Sequence, residues 1–143
     1  MTEATEFNLG RFVQAQEPIF EQVLEELRAG QKRSHWMWFV FPQLKNLGRS
    51  SMAQFYGIAS LEEARAYLGH RLLGNRLVIC TETLLTHTGT PLNRILGSPD
   101  DLKFCSSMTL FSMASSDPGV FKRALDQFCG GRRDKRSLEI LGF

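Results

Sequence analysis

The chain has 143 residues, of which 43% are hydrophobic and 22% charged, and its 17 basic and 15 acidic side chains leave a net charge of +2. That length makes a single domain with a core large enough to fold without a metal or disulfide staple. The balanced charge argues against a dedicated nucleic-acid binder, and no run approaches the roughly 20 apolar residues of a membrane span.

Residues 1–7 read as a frayed tail and residues 8–143 as one helical domain. The polar, acidic start from Met1 to Glu6 lacks the basic and apolar regions of a signal peptide, so a cytoplasmic location is expected. Asn8 is the expected N-cap of a first helix reaching about Ala15. Pro18 suits the first turn of a second, in which Ile19, Phe20, Val23, Leu24 and Leu27 form the apolar stripe and Glu21, Glu25, Glu26 and Arg28 the outer face. Gly30 closes it.

Ser34 to Gln43 holds both tryptophans, Trp36 and Trp38, with His35, Phe39 and Phe41 beside them. Aromatic side chains each remove about 150–250 Å² from water, so this run belongs in the core. It is too short for its period to choose between a helix and a buried strand. Ser51 to Tyr56 forms one more helical turn. Ser60 and Glu63 spell a capping box for a helix to about Leu68, and a longer helix spans about 71–87. A short helix follows over Leu92–Leu96. Ser98, Pro99, Asp100 and Asp101 start a helix to about Ser115 whose apolar residues point nearly all round, the pattern of a central helix. Asp117 and Pro118 begin the next, Gly130-Gly131 ends it, and Arg132 to Arg136 is a charged loop before a terminal turn at Ser137. The architecture expected is all-α: a single globular domain with an irregular array of six to eight helices.

Cys80, Cys105 and Cys129 are odd in number and far apart, and no Cys-x-x-Cys pair occurs. Three buried thiols in a reducing compartment are expected, with neither a disulfide framework nor a zinc site. The three histidines lack metal-ligand spacing, and no Gly-rich phosphate loop is present.

With these elements placed, the chain resembles the family catalogued as domain of unknown function 1810, some of whose members bear a calpastatin-like label. The matching stretches are Arg11 to Gln16, Leu27 to Gly30, Ser34 to Gln43, Ser60 to Leu68, Leu73 to Leu77 and Ser106 to Phe111. They spread over most of residues 8–142. The resemblance implies a mainly helical single domain and no catalytic residue. The calpastatin-like label does not suit this composition, because such inhibitors are polar and disordered. Helix order, Glu63 to Gly69 and Leu84 to Leu92 are also similar to the NADAR family of small helical N-glycosidases. Their Glu–His pairing has no counterpart here: Ser51 to Tyr56 stands in its place.

His35, beside Lys32 and Arg33, is the candidate general base or ligand donor, with Trp36 or Trp38 stacking on a planar ring. His70, Arg71 and Arg76 cluster at a helix start that could hold phosphate or carboxylate. Lys103 lies one turn before Ser107, a spacing that could activate the hydroxyl. The competing reading makes the tryptophans core, the arginines a solvated face and Ser106, Ser107, Thr109 and Ser112 small packing residues. Asp134 reads as part of a solvated loop, and the basic residues around it as possible phosphate contacts. The function expected is binding, and by extension hydrolysis, of an anionic planar small molecule, such as a nucleotide or ADP-ribose derivative, in a pocket near His35. The alternative is a non-enzymatic protein-interaction module. No cofactor, metal or membrane is expected, nucleic acid is disfavoured as a partner, and the oligomeric state is open.

Overall fold

Wherever apolar residues recur at three- and four-residue spacing the chain is helical. A computed structural model describes residues 7–143 and contains ten α-helices: α1 (Gly10–Gln16), α2 (Phe20–Ala29), α3 (Met37–Val40), α4 (Ser51–Tyr56), α5 (Leu61–Gly69), α6 (Arg71–Leu85), α7 (Leu92–Leu96), α8 (Asp100–Ala114), α9 (Gly119–Phe128) and α10 (Lys135–Leu141). Among the described residues the only β feature is an isolated parallel bridge between Leu44 and Ile58. The chain is therefore all-α. The count exceeds six to eight because α3, α4 and α7 are separate helices of 4, 6 and 5 residues. The frayed tail expected over residues 1–7 lies outside the described residues except for Phe7, which packs against the core.

Helix α8 is the centre. Nine of its fifteen residues, Phe104 and Ser106 to Ser112 among them, are buried. Helices α3, α5, α7, α9 and α10 all pack on it. The all-round apolar pattern read from its sequence has this cause. Three of its hydroxyls are satisfied within the helix, Ser106 donating to the Leu102 carbonyl, Thr109 to that of Cys105 and Ser112 to that of Thr109. Gly74 lets α6 start tightly against the end of α5, because a Cβ there would collide with the Leu68 carbonyl oxygen.

The aromatic run resolves as the single turn α3, with Trp36 at its N-cap and Phe41 just past its end. Trp36 and Phe41 are buried, and Phe41 meets Phe104 of α8 edge-on at 5.0 Å between ring centroids. Tyr67 continues this core, 5.1 Å from Phe12 and 5.2 Å from Phe111.

Four local expectations are corrected. Glu26 does not lie on the outer face of α2 but turns inward and is buried. Asp134 is not a free loop residue: its carboxylate caps α10 by accepting from the Ser137 amide at 2.9 Å and hydroxyl at 2.6 Å. The cap of α5 is only half the expected box. Ser60 accepts from the Glu63 amide, while Glu63 reaches past it to the Ala59 amide and to Arg11. Finally, Cys105 and Cys129 form a disulfide, and only Cys80 remains a buried free thiol. Twenty-four residues separate the pair in sequence, and the packing of α9 along α8 brings their Cα atoms to 6.0 Å. That proximity is tertiary and invisible to spacing rules.

Candidate functional site

The residues singled out from sequence do not share one site. His35 is exposed, without a hydrogen-bond partner among the described residues. Trp36 is fully buried, and its indole donates to Glu26. Lys32 covers the Trp36 ring at 5.2 Å and pairs with Asp100 at 3.0 Å. His70 is the N-cap of α6, its Nδ1 accepting from the Leu73 amide. Arg76 lies over Phe20 at 4.6 Å and binds Glu17 at 3.1 Å and the Gln16 side-chain carbonyl at 3.4 Å. Ser107 is fully buried, and its hydroxyl has no partner among the described residues, so it is not bonded to Lys103. Lys103 turns instead toward Asp100, 3.9 Å away, and toward the half-buried Trp38, whose ring is 5.8 Å from its ammonium.

Trp38 and Lys103 are thus the pair that the fold brings together. They line one cleft with Met37, Phe41 and Tyr56, but its free volume is about 20 Å³. That is room for about one water, whereas drug-sized ligands occupy roughly 300–1,000 Å³.

Beside this run stands a buried carboxylate that the sequence reading left on the surface. Glu26 accepts from the Arg33 and Ser34 amides, the Ser34 hydroxyl, Trp36 Nε1 and Gln22 Nε2, at distances between 2.6 and 3.1 Å. Burial alone would raise its pKa. The hydrogen bonds from Ser34, Arg33, Trp36 and Gln22 outweigh that and hold it down at about 2. An acid this strong, with every donor structural, is a clamp on the α2–α3 connection. A second structural pair joins Arg11 to Glu63 at 2.7 Å, and Arg11 also donates to the carbonyls of Phe7, Asn8, Phe55 and Gly57.

A ligand-sized space lies elsewhere. A cavity of about 530 Å³ opens between the Thr90–Asn93 segment, the first turns of α8 and the chain after α9. Leu102 and Phe128 give it apolar wall, and Leu102 is 67% exposed there. Arg132, Arg133 and Lys135 bring positive charge, and none of the three has a carboxylate partner among the described residues. The two carboxylates in the lining are already engaged, Asp134 as the cap of α10 and Asp101 by the Ser98 hydroxyl and the Leu102 amide. A hollow of about 620 Å³ between α5 and the end of α8 has Arg65 as its one charged residue.

Local sequence explains how the cations are held. Gly130 and Gly131 both adopt positive φ, +66° and +73°, which turns the chain sharply at the end of α9, and the Gly131 amide returns to the Leu125 carbonyl at 2.9 Å. The loop beyond is tied to α8 twice, by the Cys129–Cys105 bond and by the Asp134 amide, which donates to the Thr109 hydroxyl at 2.8 Å. Sequence reasoning marked the basic run but not its opposite wall, which comes from residues about 30–40 positions earlier in the chain. The one local signal was Leu102, an apolar residue in an acidic first turn.

No group of three or more potential metal ligands clusters among the described residues, and none of their helices is long and apolar enough to cross a membrane.

Comparison with known proteins matches this arrangement to uncharacterised relatives. No curated protein matches the chain. The crystal structure of the conserved hypothetical protein Rv1873 from Mycobacterium tuberculosis is similar to it, with 53% sequence identity and a TM-score of 0.95 over 96% of this chain and 99% of the other. Residues 6–141 match the family model described as a protein of unknown function (DUF1810), and the chain belongs to that family.

Proposed function

We propose that the protein binds a small organic anion, bearing phosphate or carboxylate, in the cavity between α7, α8 and the 129–135 loop. The observation that supports this reading is the set of three cations without a carboxylate partner among the described residues, Arg132, Arg133 and Lys135, on a cavity of about 530 Å³ whose own carboxylates already accept hydrogen bonds, Asp134 as the cap of α10 and Asp101 from Ser98 and Leu102. Guanidinium groups suit planar or tetrahedral oxyanions, and Leu102 and Phe128 offer a surface for an apolar or ring portion. The planar anion expected near His35 fits this cavity better than the Trp38–Lys103 cleft, which has about one-water volume.

A thermal-shift titration with phenyl phosphate and citrate at low ionic strength tests it. A ligand at 100 times its dissociation constant adds about 2.7 kcal/mol of stability. The shift is expected to disappear in Arg132→Ala/Arg133→Ala. A shift that survives in that variant, or none with either anion, rejects the reading.

The interaction-module alternative draws on Met52 and Phe55, which are 39% and 54% exposed and three residues apart on α4. Concentration-dependent association that Phe55→Ser removes would favour it.

A further inference from the structure

The Cys105–Cys129 disulfide joins α8 to the end of α9 at the wall of the anion cavity. Both cysteines line the anion cavity, and both are half-buried. The bond therefore faces the space that Arg132, Arg133 and Lys135 make positive. We propose that this disulfide is the reactive group of the cavity, a thiol–disulfide exchange site for small anionic thiols. The inference rests on the anion-binding reading and assigns that site its substrate class.

Three features support it. Positive charge concentrates an anionic thiolate at the cavity and stabilises the cysteine thiolate that must leave. The volume of about 530 Å³ admits a small thiol against the bond. Cys129 is the C-terminal cap of α9, just before Gly130 and Gly131, whereas Cys105 lies inside α8, so parting of the two sulfurs after the bond opens requires movement of a helix end alone. In the step itself, the incoming thiolate uses its electron pair to bond one cysteine sulfur as the Cys105–Cys129 bond breaks. The other cysteine departs as a thiolate and takes a proton from water. A second equivalent of the same thiol then attacks the mixed disulfide, releasing the small disulfide and leaving two cysteine thiols. Two thiols are oxidised and one disulfide is reduced.

The full-length protein is treated in parallel with mercaptoacetate, mercaptoethanol and cysteamine, which are anionic, neutral and cationic. Adducts and free thiols are followed by intact mass after acid quenching and alkylation, and rates are expressed per thiolate. Mercaptoacetate is expected to react about tenfold faster than mercaptoethanol at low ionic strength, with cysteamine slowest. Salt is expected to flatten this order, and so is Arg132→Ala/Arg133→Ala. Arg28→Ala/Arg49→Ala, which removes the same charge from exposed sites on α2 and in the segment before α4, is expected to keep it. Peptide mapping should find the adduct on Cys105 or Cys129 and none on Cys80. Equal rates for the three thiols, a charge order that survives in the Arg132/Arg133 variant, or absence of any adduct overturns the proposal. Citrate binding to the same samples separates the two readings. Binding without charge-ordered exchange sinks only the exchange site, and loss of both sinks the cavity as an anion site.

Discussion

Trp36 Nε1 donates to Glu26 Oε1 at 3.0 Å, and this bond fastens the aromatic turn α3 to the end of α2. Four more donations converge on the same carboxylate. Its pKa is lowered from 4.5 to about 2, so the ionised form is favoured in the folded state. For an acid with a depressed folded value, the stabilisation is complete above the unfolded pKa and is lost as pH falls toward the folded one. Between pH 4.5 and about 2 the protein should lose about 3 kcal/mol from this group. Glu26→Gln should cost about 3 kcal/mol at neutral pH and flatten that acid limb, as read by urea melts across pH. An acid limb unchanged in the variant would show that other carboxylates control it.

Arg11 serves five acceptors, four of them backbone carbonyls, and lies 2.7 Å from Glu63. Arg11→Met should destabilise by about 3–5 kcal/mol, because it strands a buried carboxylate. Arg11→Lys should recover less than half of that, since an ammonium on a flexible stem cannot span the same fork of acceptors. Full recovery with lysine would mean that charge alone matters here.

Cys80 is fully buried on the inner face of α6, and burial pushes its thiol up to about 12, with Arg76 pulling the other way. At pH 8 its thiolate fraction is then about one in ten thousand. Ellman's reagent should find no reactive Cys80 in the native protein and one on unfolding. Prompt native labelling of Cys80 would place it at an opening of the core.

The two tryptophans report on different surroundings. Trp36 is fully buried, while Trp38 is half-buried beside Lys103. Trp38→Phe should leave a blue-shifted emission that iodide barely quenches. Trp36→Phe should leave a quenchable one and cost about 1–3 kcal/mol, because the buried Glu26 loses one of its five donors. Equal quenching in the two variants would contradict this division.

Helix existence and the central place of α8 were legible because hydrophobic period and cap residues are local. Ser60 before Glu63, Pro99 before two aspartates, and Gly130-Gly131 each mark a boundary within about a turn. Glu26 was misjudged because it stands three residues after Val23, at the border of the apolar stripe, where a side chain can turn either way. Its direction was decided by five donors, of which four come from the loop after α2 and the aromatic turn. The disulfide and the cavity were hidden for the same reason. Each needs α9 laid along α8, a fact about packing. His35 and Ser107 drew attention through residue type, yet one lies in solvent and the other inside the core.

The Thr109 hydroxyl, wholly out of solvent, receives the Asp134 amide while donating to the Cys105 carbonyl. One turn earlier on the same helix, Cys105 holds Cys129. The charged rim of the protein is thus indexed to its innermost helix, in the way that a key is cut from its shank. Thr109→Val keeps the volume and removes no charge, yet it unhooks the segment bearing Arg132 and Arg133. It should weaken citrate binding about tenfold in calorimetry, and unchanged affinity would show that the disulfide alone sets the rim. Variation at a side chain that no ligand can touch becomes a means of tuning what the surface binds.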